Sequence, residues 1–227
     1  MLVSWELKRS SAGQNSSYNQ GKNMDLSKEW DKRYDCEHFV YGTEANEFLV
    51  QSSGQLKPQS KILCLADGEG RNSVYLSKLG HQVTAIDFSH VAQKKALILA
   101  QKNDIELNYI VCDMKEYPFE KNQWDAIVSI FAHTSSTTRH YIWDLIKFSL
   151  KKNGLFILEA YHPKQLELNY NSGGPKKTDW LVSLKDILSS FKAFNQYHQW
   201  EGERVVNEGT LHHGKAFVTQ YVGQKIE

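Results

Sequence analysis

The sequence predicts an α/β protein: a mostly parallel sheet with helices on both faces, ending in an antiparallel hairpin. Three observations predict it. Apolar runs such as KILCLA, AIVSI and GLFILEA lack the polar alternation of a half-exposed strand, as strands covered on both faces must. From Leu26 onward such runs alternate with helical segments, the pattern of right-handed βαβ units. At the end of the chain, FNQYHQWEGERVV and KAFVTQYVG read as two strands. The link between them, NEGTLHHG, is short enough to require an antiparallel pair.

Taken in order, helices are expected at 26–34 and 44–52. A strand at 61–66 leads into a helix at 70–79, and a strand at 82–87 into a helix at 89–102. A strand at 107–112 is followed by a turn through Pro118. A strand at 124–131 precedes a helix at 136–151, for which Asn153-Gly154 supplies a stop signal, and a strand at 154–161 follows. Ser183 and Asp186 have capping-box spacing, opening a helix that runs to about Ser190. The stretch KRSSAGQNSSYNQGKNM is polar and has no apolar period, so residues 1–24 are expected to be a disordered extension and 25–227 a single domain.

Composition narrows the function. A charged content of 23% with 41% hydrophobic residues suits a globular chain, and a net charge of +1 gives no electrostatic case for a nucleic-acid partner. Cys36, Cys64 and Cys112 form no metal-binding spacing, so no metal is expected, and free thiols suit a reducing, cytoplasmic setting. No apolar run approaches the roughly 20 residues that span a bilayer, so no membrane partner is expected.

The chemistry is concentrated at Asp67-Gly68-Glu69-Gly70, between the first sheet strand and its helix. A phosphate-binding loop needs Gly-Lys-Ser/Thr, but Arg71-Asn72-Ser73 follow Gly70. A dinucleotide fingerprint wants a third Gly or Ala where Ser73 stands. Glu69 competes with phosphate for the helix N-terminus, which argues against a phosphate ligand at the turn. Asp87 ends the second strand, where an acid accepts ribose hydroxyls. Asp113 ends the third strand, beside Met114. Acids in order at strand ends fit a nucleoside lying along the carboxyl edge of the sheet.

These motifs make the chain resemble class I S-adenosylmethionine-dependent methyltransferases, the TehB-like branch above all. The resemblance rests on GEGRN, AIDFS, CDM, WDAIVSI, GLFILEAY, the lead-in WDKRY…FVYGTEANEFL and the terminal hairpin. Small bacterial methyltransferases with an Asn-Ser/Thr-Gly-Gly-Pro loop and an EG…HxGKA hairpin are closer still. The likeness covers about residues 26 to 226.

It implies a Rossmann-like seven-stranded sheet of order 3-2-1-4-5-7-6 with strand 7 antiparallel, and S-adenosylmethionine as cofactor. Ala66, Asp67, Gly68, Glu69, Gly70 and Asn72 would lie at the methionine part, Asp87 and Phe88 at the ribose and adenine, and Asp113 and Met114 at the base. Ile130 would edge the methyl group. Arg33 would meet the methionine carboxylate, under a lid that includes Trp30 and Tyr41. The family commonly carries an acid two residues before the first turn glycine. This chain has Ala66 there, with Asp67 in the turn, so Asp67 is expected to take over the cationic amino group.

For methyl transfer, His133 after the fourth strand is the candidate general base, with a helix-cap neighbour as the structural alternative. Phe131, Tyr161, His162 and Tyr170 are expected to line the site of a small-molecule acceptor. Arg139 and His140 read as a solvated helix face. His212 and His213 are strand neighbours on opposite faces, which excludes a shared metal. The competing readings are a non-catalytic S-adenosylmethionine-binding protein and an NAD(P)-dependent oxidoreductase.

Overall fold

The computed structural model describes residues 26–227; the extension expected at 1–24 lies outside them. The first helix, α1, covers 26–34 of the described residues, and α2 (Glu47–Ser53) follows. The alternating core then runs β1 (Lys61–Leu65), α3 (Arg71–Lys78), β2 (Gln82–Asp87), α4 (His90–Lys102), β3 (Asn108–Val111), β4 (Trp124–Ile130), α5 (Ser136–Ser149) and β5 (Leu150–Tyr161). It closes with α6 (Lys164–Glu167), α7 (Leu184–Ser190), β6 (Phe194–Glu208) and β7 (His212–Lys225).

The seven strands lie in the order β3-β2-β1-β4-β5-β7-β6. β1 to β5 pair in parallel, whereas β7 is antiparallel to both β5 and β6. Continuous apolarity has the expected cause. In β1, Ile62 and Cys64 enter the core on the α3–α4 side, while Leu63 and Leu65 enter the core on the α5–α7 side; none is more than 2% exposed. Ser89, Ser135 and Ser183 cap α4, α5 and α7 by accepting backbone N–H bonds, the last as its capping-box spacing predicts.

Two boundaries differ from expectation. Helix α5 stops at Ser149, and β5 begins at once with Leu150 pairing Trp124. Asn153, at φ 63°, sits inside β5, where the register with β4 shifts. Its left-handed signal therefore marks a strand irregularity, not a helix stop. The hairpin link is only Gly209 to Leu211, because Glu208 pairs directly with His212. Arg139 also differs from expectation. It is buried at 8% exposure and bonds Asp186 at 2.8 Å, tying α5 to α7, while only His140 faces solvent. Among the described residues no helix is long and apolar enough to cross a membrane.

Candidate active site

The strand order reverses between β1 and β4, so the carboxyl ends of β2, β1, β4 and β5 open a crevice at one edge of the sheet. Strained backbone flanks it on both sides: Ala66 after β1 has φ 48° and Phe131 after β4 has φ 54°. Non-glycine residues pay for this conformation, and such outliers collect at functional sites. Within the turn, Gly70 is dictated by packing, since a Cβ there would stand 2.6 Å from Ala96 Cβ on α4. Gly68 instead borders the crevice, where a Cβ would stand 2.8 Å from the Tyr34 hydroxyl.

Asp67 and Asp87 meet at this turn. Asp87 is 6% exposed and accepts the N–H of Gly68 (3.1 Å) on one oxygen and that of Ser89 (2.9 Å) on the other. Asp67 is 8% exposed and accepts the Ser73 hydroxyl at 2.5 Å. Burial pushes both carboxyls up, Asp67 to about 7 and Asp87 to about 6. Among the described residues neither has a salt-bridge partner. Carboxylates hold about four lone-pair sites, so Asp87 keeps acceptor capacity beyond its two backbone bonds. Two buried acids without a cation, beside a bare glycine, fit a ligand that carries positive charge and hydroxyl pairs, as S-adenosylmethionine does.

The neighbouring acid has a different job. Glu69 lies 2.5 Å from Lys95 Nζ and accepts the backbone N–H of Tyr41 at 3.1 Å, so it fastens the covering segment. Asn72 likewise supports structure, accepting the N–H of Asn46 ahead of α2. Asp113 accepts the N–H of Lys115 and pairs with its ammonium, capping its own turn. Met114 is buried in the core on the α5 side. It borders a shallow surface dip with Ser129, Arg139 and Trp143.

The cover is an aromatic stack. Trp30 and Tyr34 stack with ring centroids 5.5 Å apart, Tyr41 meets Tyr34 at 6.1 Å, and Arg33 lies over Trp30 while donating to the Tyr41 hydroxyl. Several bonds hold it down. Ser27 donates to the carbonyl of Phe88, Asp31 accepts from Ser89 and Val91, and buried Lys95 donates to the carbonyls of Tyr34, Cys36 and His38. Tyr34 and Lys95 were absent from the expected set. Tyr34 was legible, because it sits four residues after Trp30 on one helix face. Lys95 was not, since nothing in HVAQKKALILAQK marks which lysine is buried.

Beyond β4 the crevice becomes a cage of rings. Phe131 lies 4.8 Å from Tyr161 and 4.7 Å from His212, and Tyr41 lies 4.5 Å from His212. Ile130 is buried directly beneath, paired with Glu159. Phe131 and Tyr161 therefore come together as expected, but His162 and Tyr170 do not join them. His162 accepts the N–H of Lys164 and faces Glu201, bridging β5 to β6. Tyr170 bonds Glu203 on the outside of the hairpin. The 170–175 loop reaches the cage through Ser172, whose carbonyl accepts the Tyr161 hydroxyl at 2.8 Å, and through Gly173, packed against His212.

His133 is a correction. Its Nε2 accepts the backbone N–H of Tyr161 at 3.0 Å, so the lone pair a base would use is already engaged. Burial, together with His212, holds the imidazole far below its ordinary value, at about 3. The placement makes His133 a brace between the β4 and β5 ends.

The hairpin supplies what the sequence reading missed. Glu208 and His212 face each other across the three-residue turn, with His212 Nδ1 3.5 Å from Glu208 Oε2. Glu208 also takes Arg71 at 2.6 Å, Asn46 at 2.7 Å and Arg204 at 3.2 Å. Against burial, His212 and Arg71 hold its carboxyl down at about 2. Arg204 further bonds both oxygens of fully buried Glu159 at 2.8 and 2.9 Å. The pairing was readable once the turn is known to be three residues long; assuming a longer link hid it.

Comparison with known proteins agrees with this geometry. Residues 62–154 match the family model described as a methyltransferase domain. Among curated proteins no relative matches. The structure is similar to TehB from Haemophilus influenzae, with TM-score 0.66 at 18% identity, covering 88% of this chain and 66% of that one, just under two thirds of its length. It is also similar to an S-adenosylmethionine-dependent methyltransferase from Methanosarcina mazei, with TM-score 0.64 at 16% identity over 81% and 99% of the two chains. A third is a Burkholderia thailandensis 1,6-didemethyltoxoflavin-N1-methyltransferase with bound 1,6-didemethyltoxoflavin and S-adenosylhomocysteine. Its TM-score is 0.65 at 16% identity over 97% and 94%.

Proposed function

We propose that this chain, which carries a class I S-adenosylmethionine-dependent methyltransferase domain, transfers the methyl group of that cofactor to a small molecule held in the ring cage. One observation carries the reading. The unpaired acids Asp67 and Asp87 lie on one side of the switch point and the cage of Tyr41, Phe131, Tyr161 and His212 on the other. A cofactor seated on the acids reaches the cage only with its far end, so an in-line acceptor enters from the β5–β7 side. Aromatic walls with few polar groups suit a small ligand. The Burkholderia neighbour, whose structure holds 1,6-didemethyltoxoflavin together with S-adenosylhomocysteine, is in keeping with a small-molecule acceptor.

In this reading Asp87 accepts the ribose hydroxyls, Asp67 faces the ammonium group, and Gly68 and Ala66 give the backbone close approach. Arg33, Trp30, Tyr34 and Tyr41 close above, excluding water as lids do. Phe88, Met114 and Asp113 sit where the base would lie, and residues 25–227 act as one catalytic unit.

The test is calorimetry with S-adenosylhomocysteine, followed by methyl-label transfer from S-adenosylmethionine into a cell extract. Asp87→Asn should weaken binding about tenfold or more, because charged-acceptor hydrogen bonds are worth about 1.5–3 kcal/mol each. The label should appear in the small-molecule fraction. Label confined to protein or nucleic acid would refute the acceptor class, and unchanged affinity in a folded Asp87→Asn would remove that residue from the site.

A further inference from the structure

We infer that His212, backed by Glu208, is the general base of this methyltransferase, and that its acceptor is a planar ring compound bearing a neutral O–H or N–H. The inference rests on the proposed small-molecule reading and adds the acceptor's chemistry to it.

Position comes first. His212 is the one side chain that touches all three sides of the cage: Tyr41 at 4.5 Å from the lid, Phe131 at 4.7 Å from the β4 end, and Tyr161 at 5.3 Å from the β5 end. Among the described residues its Nε2 has no protein partner, whereas the Nε2 of His133 is committed to Tyr161. The rings pack on the histidine itself, so an acceptor reaching Nε2 meets aromatic edges and faces, which favour a flat ring.

Electrostatics come second. Glu208, on the same side as Nδ1, is anchored by Arg71, Arg204 and Asn46, so it stays ionised and in place while the imidazole gains a proton. Its Oε2 stands 3.5 Å from Nδ1, at ion-pair distance and short of a hydrogen bond, where a positioning residue closes on the ring as it gains a proton. The groups facing His212 from other elements are Arg71 on α3 and Arg33 on α1, both of which resist its protonation, and His133 after β4, which stays uncharged. Only Glu208 favours it. Burial adds to that resistance and lowers the His212 value, so at neutral pH the imidazole is uncharged and ready to accept.

The lid completes the arrangement. Thr210 donates its N–H to the carbonyl of Val40 at 2.9 Å, and Gly209 packs on Gly42 so closely that a Cβ would stand 2.5 Å from its nitrogen. The segment that covers the cofactor side is thus docked on the hairpin turn that presents the histidine.

The step balances. The acceptor's O or N lone pair forms the bond to the methyl carbon. The carbon–sulfur bond breaks with its pair remaining on sulfur, and the acceptor proton passes to His212 Nε2 and then to water. A thiolate would already be deprotonated and would need no such group, so a base of this kind implies a protic acceptor.

The decisive experiment is a histidine-ring NMR titration of the full chain with S-adenosylhomocysteine added, with resonances assigned through His212→Asn. The His212 ring should titrate below its ordinary value of about 6.5, and Glu208→Gln should move that midpoint lower still. A ring that does not titrate, or whose midpoint is indifferent to Glu208→Gln, overturns the assignment. Turnover of a phenol, an azole and an aryl thiol then tests the acceptor class. With the phenol or azole, His212→Asn should lower the rate about 10²-fold or more at unchanged S-adenosylhomocysteine affinity, and added imidazole should restore part of it. Wild-type turnover in that variant, or methylation of the thiol alone, overturns the proposal while leaving the methyltransferase standing. Failure of the wild-type chain to bind S-adenosylhomocysteine would strike the cofactor site instead, and the ring titration would still decide the base.

Discussion

At the ends of β1 and β2, Asp67 and Asp87 are buried with no salt bridge among the described residues; past the switch point, Glu159 and Glu208 are buried with Arg204 and Arg71 bound to them. Both clusters occupy one edge of one sheet, yet they respond to pH in opposite senses. Asp67 and Asp87 have folded values near 7 and 6, above the ordinary 3.8, so the folded chain holds those protons more tightly than the unfolded chain does. The stability they lend is full below about pH 4 and lost as pH rises to about 7. Glu208 is held at about 2, below the ordinary 4.5, so its contribution is full above about pH 5 and lost as pH falls through about 2. The first pair is destabilised by its own charge until a cationic ligand arrives. The second is neutralised within the chain and serves as a fixed wall.

The largest expected effect tests that contrast directly. Glu159→Gln removes one partner from a buried ion pair and leaves Arg204 undercompensated, which should cost about 3–5 kcal/mol of stability. Asp87→Asn removes a buried charge that has backbone hydrogen bonds but no ion-pair partner among the described residues, and should change stability far less at neutral pH. Urea unfolding of both variants at pH 7.5 measures the difference. Equal losses would break the distinction between the clusters.

His133 separates a brace from a base. In His133→Ala the N–H of Tyr161 loses its acceptor, which should cost about 1–3 kcal/mol of stability. Unfolding unchanged in that variant, with turnover abolished, would return His133 to the catalytic role expected from its place after β4.

A third prediction reads the acids through their ligand. If the ligand's ammonium group and ribose hydroxyls hold Asp67 and Asp87 ionised, binding expels protons wherever they are protonated in the free chain. Affinity for S-adenosylhomocysteine should therefore tighten with rising pH, by up to about tenfold per unit for each group below its value, and level off above about pH 7. Asp67→Asn should flatten the upper part of this curve. Calorimetry in buffers of different ionisation enthalpy counts the protons, and a curve flat from pH 5 to 8 would mean the acids do not face the ligand.

The fold was legible because it is written in local signals: two-sided apolar strands, their alternation with helical segments, the Ser183 capping box and a short hairpin link. The cluster of Asp67, Gly68 and Asp87 was legible for a similar reason, since these residues sit at strand ends that the pattern itself locates. The ring cluster past β4 was not. His162 and Tyr170 lie next in sequence to residues of the cage but point their bonds at Glu201 and Glu203. His212 and Glu208 enter from a hairpin some eighty residues after β4, and their meeting depends on a turn of three residues and not eight. Which histidine keeps a free nitrogen is settled by one backbone N–H, that of Tyr161, and no sequence pattern records that bond.

The smallest effect concerns the seam between the two regions. Gly209 has φ 65°, and a Cβ there would stand 2.3 Å from the carbonyl of Val40. Gly209→Ala should push the 40–42 segment away from the hairpin turn, loosening the lid over Asp67 and Asp87 and displacing Tyr41 from His212. Gly80 offers a control, because its φ is 85° and a Cβ there would meet nothing within 4 Å. Alanine at either position pays a left-handed backbone penalty of about 1–2 kcal/mol, but only Gly209→Ala disturbs the lid. Amide exchange across residues 38–42 should quicken in Gly209→Ala and stay unchanged in Gly80→Ala. S-adenosylhomocysteine affinity should fall about three- to fivefold in the first variant alone, under about 1 kcal/mol. Equal behaviour of the two variants would mean that backbone strain accounts for everything and that the hairpin turn does not hold the lid.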